Sequence, residues 1–274
     1  MPVSPSPASL VVFSDLDGTI LDHDTYSFDE ARPALARLRA AGVPLVLCTS
    51  KTRAEITPLR DALRNTHPFI SENGGAVFIP ADYFSFPLTG ADRRDGLDVI
   101  AVGDPYPDLV AALARASRSS GVAIRGFADM TDADVATATG LSIDDARLAR
   151  QREFDEPFEI LEPDRTDDLL AAIVREGKRA TAGGRFHHIM GASDKAAAVR
   201  LLTTLYRRQF GKTMTVGLGD APNDASFLAE VDVPVAISST RVDELLARVP
   251  QARVTRRNGP AGWNEAILDI LDGR

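Results

Sequence analysis

The chain has 274 residues, 44% apolar and 26% charged, which suits about two globular domains and excludes disordered, collagen-like and disulfide-scaffold classes. A count of 31 Lys and Arg against 39 Asp and Glu leaves a net charge of −8, a balance that repels nucleic-acid backbones. The single cysteine, Cys48, cannot close an internal disulfide, and no apolar run approaches the roughly 18 residues of a membrane span. The expectation is therefore a soluble, cytoplasmic chain with neither nucleic acid nor membrane as partner.

Residues 1–9 lack the basic start and apolar segment of a secretory signal and read as a flexible leader. Leu10 to Phe13 is continuously apolar, as a strand covered on both faces would be, and it runs into the polar turn Ser14-Asp15-Leu16-Asp17-Gly18-Thr19. Ser27 and Glu30 have capping-box spacing, and Ala31, Leu35 and Leu38 recur at helical spacing before Gly42, which predicts a helix over 28–41. Val43 to Cys48 predicts a second strand, 54–63 a second helix, and Phe69-Ile70 a third strand before the Asn73-Gly74-Gly75 turn. This rhythm implies a parallel sheet with right-handed crossovers.

Residues 81–187 carry 20 acidic and 13 basic residues, so nearly all of the net charge lies there, and the shift predicts an inserted module. Strands are expected at 99–102, 122–127 and 158–161, with helices at 107–118 and 164–176. The parallel rhythm then resumes: a helix over 193–209, a strand over 213–218, the turn Gly219-Asp220-Ala221-Pro222, a helix opening at Asn223, a strand at 234–237, and helices near 241–248 and 261–271. The predicted fold class is α/β, with a doubly wound, Rossmann-like core from 10–80 and 188–274 and a smaller α/β cap at 81–187.

Asp15 and Asp17 follow the first strand, at the carboxyl end where ligands bind in open α/β sheets. Taken alone, Asp-x-Asp-Gly-Thr is as good a turn as a site. Asp220, Asn223 and Asp224 also follow an apolar strand, where helix capping is the ordinary alternative. Together the two segments gather four carboxylates in one crevice, and their repulsion calls for a cation; hard oxygen ligands with room for water suit Mg²⁺. Lys195, at a helix start, would offset phosphate charge, and Thr49, after the second strand, would donate its hydroxyl to a phosphoryl oxygen.

These segments resemble the four motifs of the haloacid-dehalogenase superfamily of phosphotransferases, in order: Asp15 to Thr19, Thr49, Lys195, and Gly219 to Asp224. The insertion after the third strand resembles the α/β caps of the Cof-like and sugar-phosphate phosphatases. A narrower resemblance, to the mannosyl-3-phosphoglycerate phosphatase family, rests on Thr49 to Glu55, Ile70 to Pro80, Gln151 to Phe158 and Gly184 to His188. Asp155, where that family is expected to have a small hydroxyl residue, and Ala196, where glycine often follows the lysine, depart from its pattern. The resemblance implies Asp15 as nucleophile, Asp17 as acid and base, and Mg²⁺ held by Asp15, the Asp17 carbonyl and Asp220, with Asp224 binding it through water or orienting Lys195.

The implied substrate is a small phosphorylated sugar or a mannosyl- or glucosyl-3-phosphoglycerate, met by Thr49, Ser50, Lys51, Asn73, Lys195 and Asn223 from the core and by Arg152, Arg185 and His187 from the cap. Two other readings share parts of this pattern. A phosphosugar mutase would pass phosphate to a sugar rather than to water. A phospho-accepting signalling receiver would need neither Asp17 nor a cap of this size.

Overall fold

In the computed structural model, which describes residues 10–183, 186–192 and 194–273, the strands in chain order are β1 (Leu10–Ser14), β2 (Leu45–Cys48), β3 (Phe69–Ser71), β4 (Ala76–Pro80), β5 (Asp92–Arg94), β6 (Leu97–Ala101), β7 (Ile124–Gly126), β8 (Glu156–Ile160), β9 (Arg179–Gly183), β10 (Phe186–Met190), β11 (Met214–Gly219), β12 (Val233–Ser238) and β13 (Arg253–Asn258). The helices are α1 (Arg32–Ala40), α2 (Arg53–Leu63), α3 (Tyr106–Ser120), α4 (Asp132–Thr139), α5 (Ile143–Ala149), α6 (Thr166–Arg175), α7 (Lys195–Phe210), α8 (Ala225–Leu228), α9 (Val242–Leu246) and α10 (Gly259–Leu271). The predicted leader, residues 1–9, lies outside the described residues. No helix among those described is long and apolar enough to cross a membrane.

Nine strands form one sheet in the order β13-β12-β11-β1-β2-β3-β4-β6-β5. Pairing is parallel from β13 to β3 and antiparallel beyond. Alternate residues of β1 explain its unbroken apolar run. Leu10 and Val12 join a core with Leu35, Leu38, Trp263 and Ile267, whereas Val11 and Phe13 join a second core with Val199, Leu202, Tyr206 and Phe227. Both faces are covered by helices, so Leu10 to Phe13 are all apolar.

Several sequence expectations need correction. The Ser27–Glu30 capping box does not form: Ser27 Oγ accepts only the Asp29 amide, a 3-10 turn spans Asp29–Ala31, and α1 begins at Arg32 with Pro33 in its first turn. The predicted strand at 99–102 falls in β6, which pairs antiparallel with β4 in the large sheet rather than standing in the inserted module. The turn at 73–75 folds β4 back on β3, and Val99 and Ile100 then extend the two existing cores. Conversely, 188–190, expected in the core, belong to β10 of a second sheet ordered β7-β8-β10-β9, all antiparallel.

That second sheet packs α3 and α6 through Leu109, Leu113, Phe158, Leu169, Ile173 and Ile189. Helices α4 and α5 were not expected. They are short, bury only Val135, Ala146 and Ala149, and join Phe127, Met130 and Phe186 in a small separate core. Their legible signals are local: Thr131 caps α4 in a capping box with Asp134, and Ser142 caps α5 at Asp145.

Candidate active site

The carboxyl ends of β1, β2 and β11 meet at one crevice. The Asp15 amide donates to Leu218 O at 2.9 Å, continuing the β1–β11 ladder and setting Asp15 beside the Gly219–Asp220 turn. Ser14, just before it, receives the Trp263 indole N–H at 3.0 Å, so Trp263 anchors this strand end as well as filling the core. Asp15, Asp220 and Asp224 each offer an oxygen within 4.8 Å of the others. Gly18 sits at φ +72°, and a Cβ there would lie 2.6 Å from Asp220 Oδ2, so the turn that carries Asp17 closes against Asp220 only with glycine.

Lys195 Nζ bridges Asp15 Oδ1 at 2.8 Å and Asp224 Oδ1 at 2.7 Å. All three side chains are buried. Burial lowers the Lys195 ammonium, but the Asp15 and Asp224 charges overcome it and hold the group well above its ordinary value. Burial, reinforced by Asp224, drives the Asp15 carboxyl up and pushes Asp220 to about 7. Three carboxylates with one lysine leave a surplus of negative charge in a low-dielectric pocket, and an all-oxygen donor set fits a hard divalent cation there.

Asp224 Oδ2 accepts the Asp220 and Ala221 amides at 3.1 and 3.2 Å. Both of its oxygens are thus engaged by protein groups. Thr19 Oγ1 donates to Asp220 Oδ1 at 3.2 Å, a contact not anticipated from sequence. Asp17 Oδ2 pairs with Lys51 Nζ at 3.0 Å, while its buried Oδ1 accepts no hydrogen bond.

Thr49 is buried after β2; its Oγ1 accepts the Lys51 amide at 3.2 Å, which leaves the hydroxyl proton available to an acceptor. Ser50 offers its carbonyl to Arg152 at 2.9 Å. Asn73 follows Glu72 in a loop where Glu72, Asn73 and Gly74 all have positive φ. A Cβ on Gly74 would collide with the Asp194 carbonyl, so this glycine lets the loop seat against the start of α7 and brings Asn73 beside Lys195. The strained loop is tied down from the other side: Glu72 accepts the Glu153 and Phe154 amides at 2.9 to 3.1 Å.

Of the three cap candidates, Arg152 is buried against the Thr49 loop, His187 lies on the helix-covered side of β10, and Arg185 lies outside the described residues. Arg152 donates from Nε to the Ala149 carbonyl and from Nη1 to the Ser50 carbonyl, with Asp155 at 3.8 Å, so it ties the second sheet's approach segment to the Thr49 loop. His187 pairs in register with Phe158 and packs its ring 5.7 Å from it, on the face covered by helices. Its neighbour His188 points the opposite way, as strand alternation requires, and its Nδ1 lies 2.8 Å from Asp155 Oδ1. Asp155 is completely buried and also accepts from Asn73 Nδ2 at 2.9 Å. Burial opposes its ionisation, yet His188 and Arg152 bring the carboxyl below its ordinary range.

The topology and this acid–lysine constellation are those of a haloacid dehalogenase-like hydrolase, and the model of that family matches residues 12–85. A glucosyl-3-phosphoglycerate/mannosyl-3-phosphoglycerate phosphatase of Methanococcoides burtonii is 43% identical over 95% of this chain and 97% of its own length. The enzyme of that name from Persephonella marina is 37% identical over 96% and 97%. A solved subclass IIB sugar phosphatase of the superfamily superposes with a TM-score of 0.66 at 18% identity, covering 95% of this chain and 98% of that one, and supports the fold. The chain belongs to the haloacid dehalogenase-like family, among the phosphatases of which these two relatives are members, and is a phosphoric monoester hydrolase.

Proposed function

We propose that this enzyme removes the phosphate of glucosyl-3-phosphoglycerate or mannosyl-3-phosphoglycerate, using Asp15 as nucleophile and Asp17 as general acid and base. The observation that carries the chemistry is the pairing of Asp15 with Lys195 beside a second carboxylate, Asp17, one of whose oxygens accepts no hydrogen bond. The substrate assignment rests on the names of the two long-range relatives.

Asp15 attacks phosphorus and forms a P–O bond as the bond to the glycerate oxygen breaks; Asp17 gives that oxygen its proton. Asp17 then takes a proton from water, whose oxygen attacks phosphorus and releases Asp15 and inorganic phosphate. Lys195 opposes the rise that burial imposes on Asp15 and offsets charge on the phosphoryl oxygens, to which Thr49 donates its hydroxyl. Ser50, Asn73 and Asn223 supply further polar contacts at the same crevice.

Mg²⁺ fits the oxygen-only donor set of Asp15, the Asp17 carbonyl and Asp220, where it would neutralise charge on the transferring group. Asp224, with both oxygens already engaged, orients Lys195 and the Asp220 turn. We take the cap to be residues 102–191, and it covers the leaving group.

The test is phosphate release across glucosyl-3-phosphoglycerate, mannosyl-3-phosphoglycerate, 3-phosphoglycerate and simple hexose phosphates, with Asp15→Asn as control. A kcat/KM at least tenfold higher for one of the two glycosyl-phosphoglycerates is expected. Equal or higher values for hexose phosphates would replace this reading with a broader sugar phosphatase, and transfer of phosphate to sugar rather than water would replace it with a mutase.

A further inference from the structure

Beside Lys195 lies a cavity of about 350 Å³, within the range of small-molecule sites, whose walls join the two sheets. Lys195, Asn223 and Asn73 stand on the large-sheet side. From the second sheet β9 contributes Arg179 and Thr181, and Arg248 also lines the cavity. Arg179 and Thr181 are two residues apart on one strand, so they share a face, and their register partners Met190 and His188 share it too. Ala180, between them, turns to the apolar core under α3 and α6.

The charges in this cavity are unequal. Lys195 is committed to Asp15 and Asp224. The Arg179 side chain is about half exposed, and among the described residues its guanidinium makes long contacts, to Ala192 O at 3.4 Å and Asp194 Oδ2 at 3.5 Å. Asp194 is itself occupied as the cap of α7, accepting the Ala197 amide at 2.9 Å. Arg248 donates to Pro222 O at 3.4 Å. Two guanidinium groups with long contacts, Arg179 and Arg248, thus line the same cavity as Lys195, with Asp194 as its carboxylate.

We propose that Arg179, with the Thr181 hydroxyl, is the specificity-determining group for a carboxylate on the leaving group, so that this cavity selects phosphate monoesters of hydroxy acids over those of neutral alcohols. A planar guanidinium matches a carboxylate with two parallel N–H donors, which an ammonium or an amide cannot reproduce. This deepens the proposed function, on which it rests for the identity of the hydroxy acid.

The experiment compares kcat/KM for 3-phosphoglycerate and glycerol 3-phosphate, which differ in the carboxylate, in the parent enzyme, Arg179→Gln and Arg179→Lys. Parent enzyme should favour the acid. Arg179→Gln should cut that preference by about 10- to 100-fold, the size expected when a charge-assisted contact is lost, and Arg179→Lys should recover part of it. Inhibition by free glycerate should weaken in the same order. Equal loss on both substrates, or a preference unchanged in Arg179→Gln, would overturn the carboxylate site while leaving the phosphatase reading intact. A parent enzyme with no preference for the acid would count against the hydroxy-acid substrate itself, and with it the site.

Discussion

Lys195 Nζ and Asp15 Oδ1 lie 2.8 Å apart although 180 residues separate them in sequence, and both side chains are buried. The contact exists because β1 and β11 are adjacent and α7 starts above their carboxyl ends. Asp15→Asn removes the nucleophile, and Lys195→Met leaves two buried carboxylates facing each other. Both variants should keep a native circular dichroism spectrum while losing at least about 100-fold in kcat on an aryl phosphate. An Asp15→Asn enzyme within tenfold of the parent would remove Asp15 as nucleophile.

Removing metal should abolish turnover, because Asp15, Asp220 and Asp224 then repel within 4.8 Å, and Mg²⁺ should restore it. Calcium should inhibit, since the larger ion accepts more oxygens and draws both Asp15 oxygens to itself. Activity after exhaustive chelation, checked by metal analysis of the same sample, would refute the requirement.

Gly18→Ala should be folded but impaired. A Cβ at φ +72° and 2.6 Å from Asp220 Oδ2 must displace the Asp17 turn, the Asp220 carboxylate or both. A shift of this kind costs on the order of 100-fold in kcat. Undiminished activity would show that the turn has room the structure does not display.

His187 and His188 give a paired test of strand facing. His188→Ala deprives the fully buried Asp155 carboxylate of its shortest partner and should lower unfolding free energy by about 1–3 kcal/mol in urea titrations. His187→Ala, on the helix-covered face and partly exposed, should cost less. The reverse ranking would mean the register of β10 is shifted by one residue.

Burial raises the Glu72 carboxyl to about 8, from an ordinary 4.5. The folded protein therefore keeps a proton that the unfolded chain has released, so this group's contribution falls as pH rises from about 4.5 and is lost by about 8. Glu72→Gln has no proton to lose and keeps a carbonyl for the Glu153 and Phe154 amides. Its Tm relative to the parent should climb between pH 5 and 8.5, and parallel Tm profiles would contradict the shift.

Local chemistry in the sequence determined the strand ends, the acids placed on them, and the strand–helix alternation that makes a parallel sheet. A strand buried on both faces must be continuously apolar and must break where it reaches water, and this makes Asp15, Asp17 and Asp220 visible. Thr49 and Lys195 were legible for the same reason, as polar residues at a strand end and a helix start. What pairing decides was not legible. Nothing local distinguishes Val99 in an inserted module from Val99 beside Phe78, because that choice depends on the turn at 73–75 reversing the chain. The face of β10 likewise depends on register with β8 and β9, so His187 looked as suitable as His188 until Phe158 and Thr181 fixed their sides. Arg152 looked like a substrate cation because its carbonyl partners, Ala149 and Ser50, leave no trace in side-chain sequence. Arg179 was overlooked because an arginine on a short polar strand reads as solvated surface, and only the tertiary structure places it in the wall of the cavity that Lys195 also lines. Sequence records which residues are apolar and where runs of them stop, whereas register and long-range packing determine which polar groups face one another.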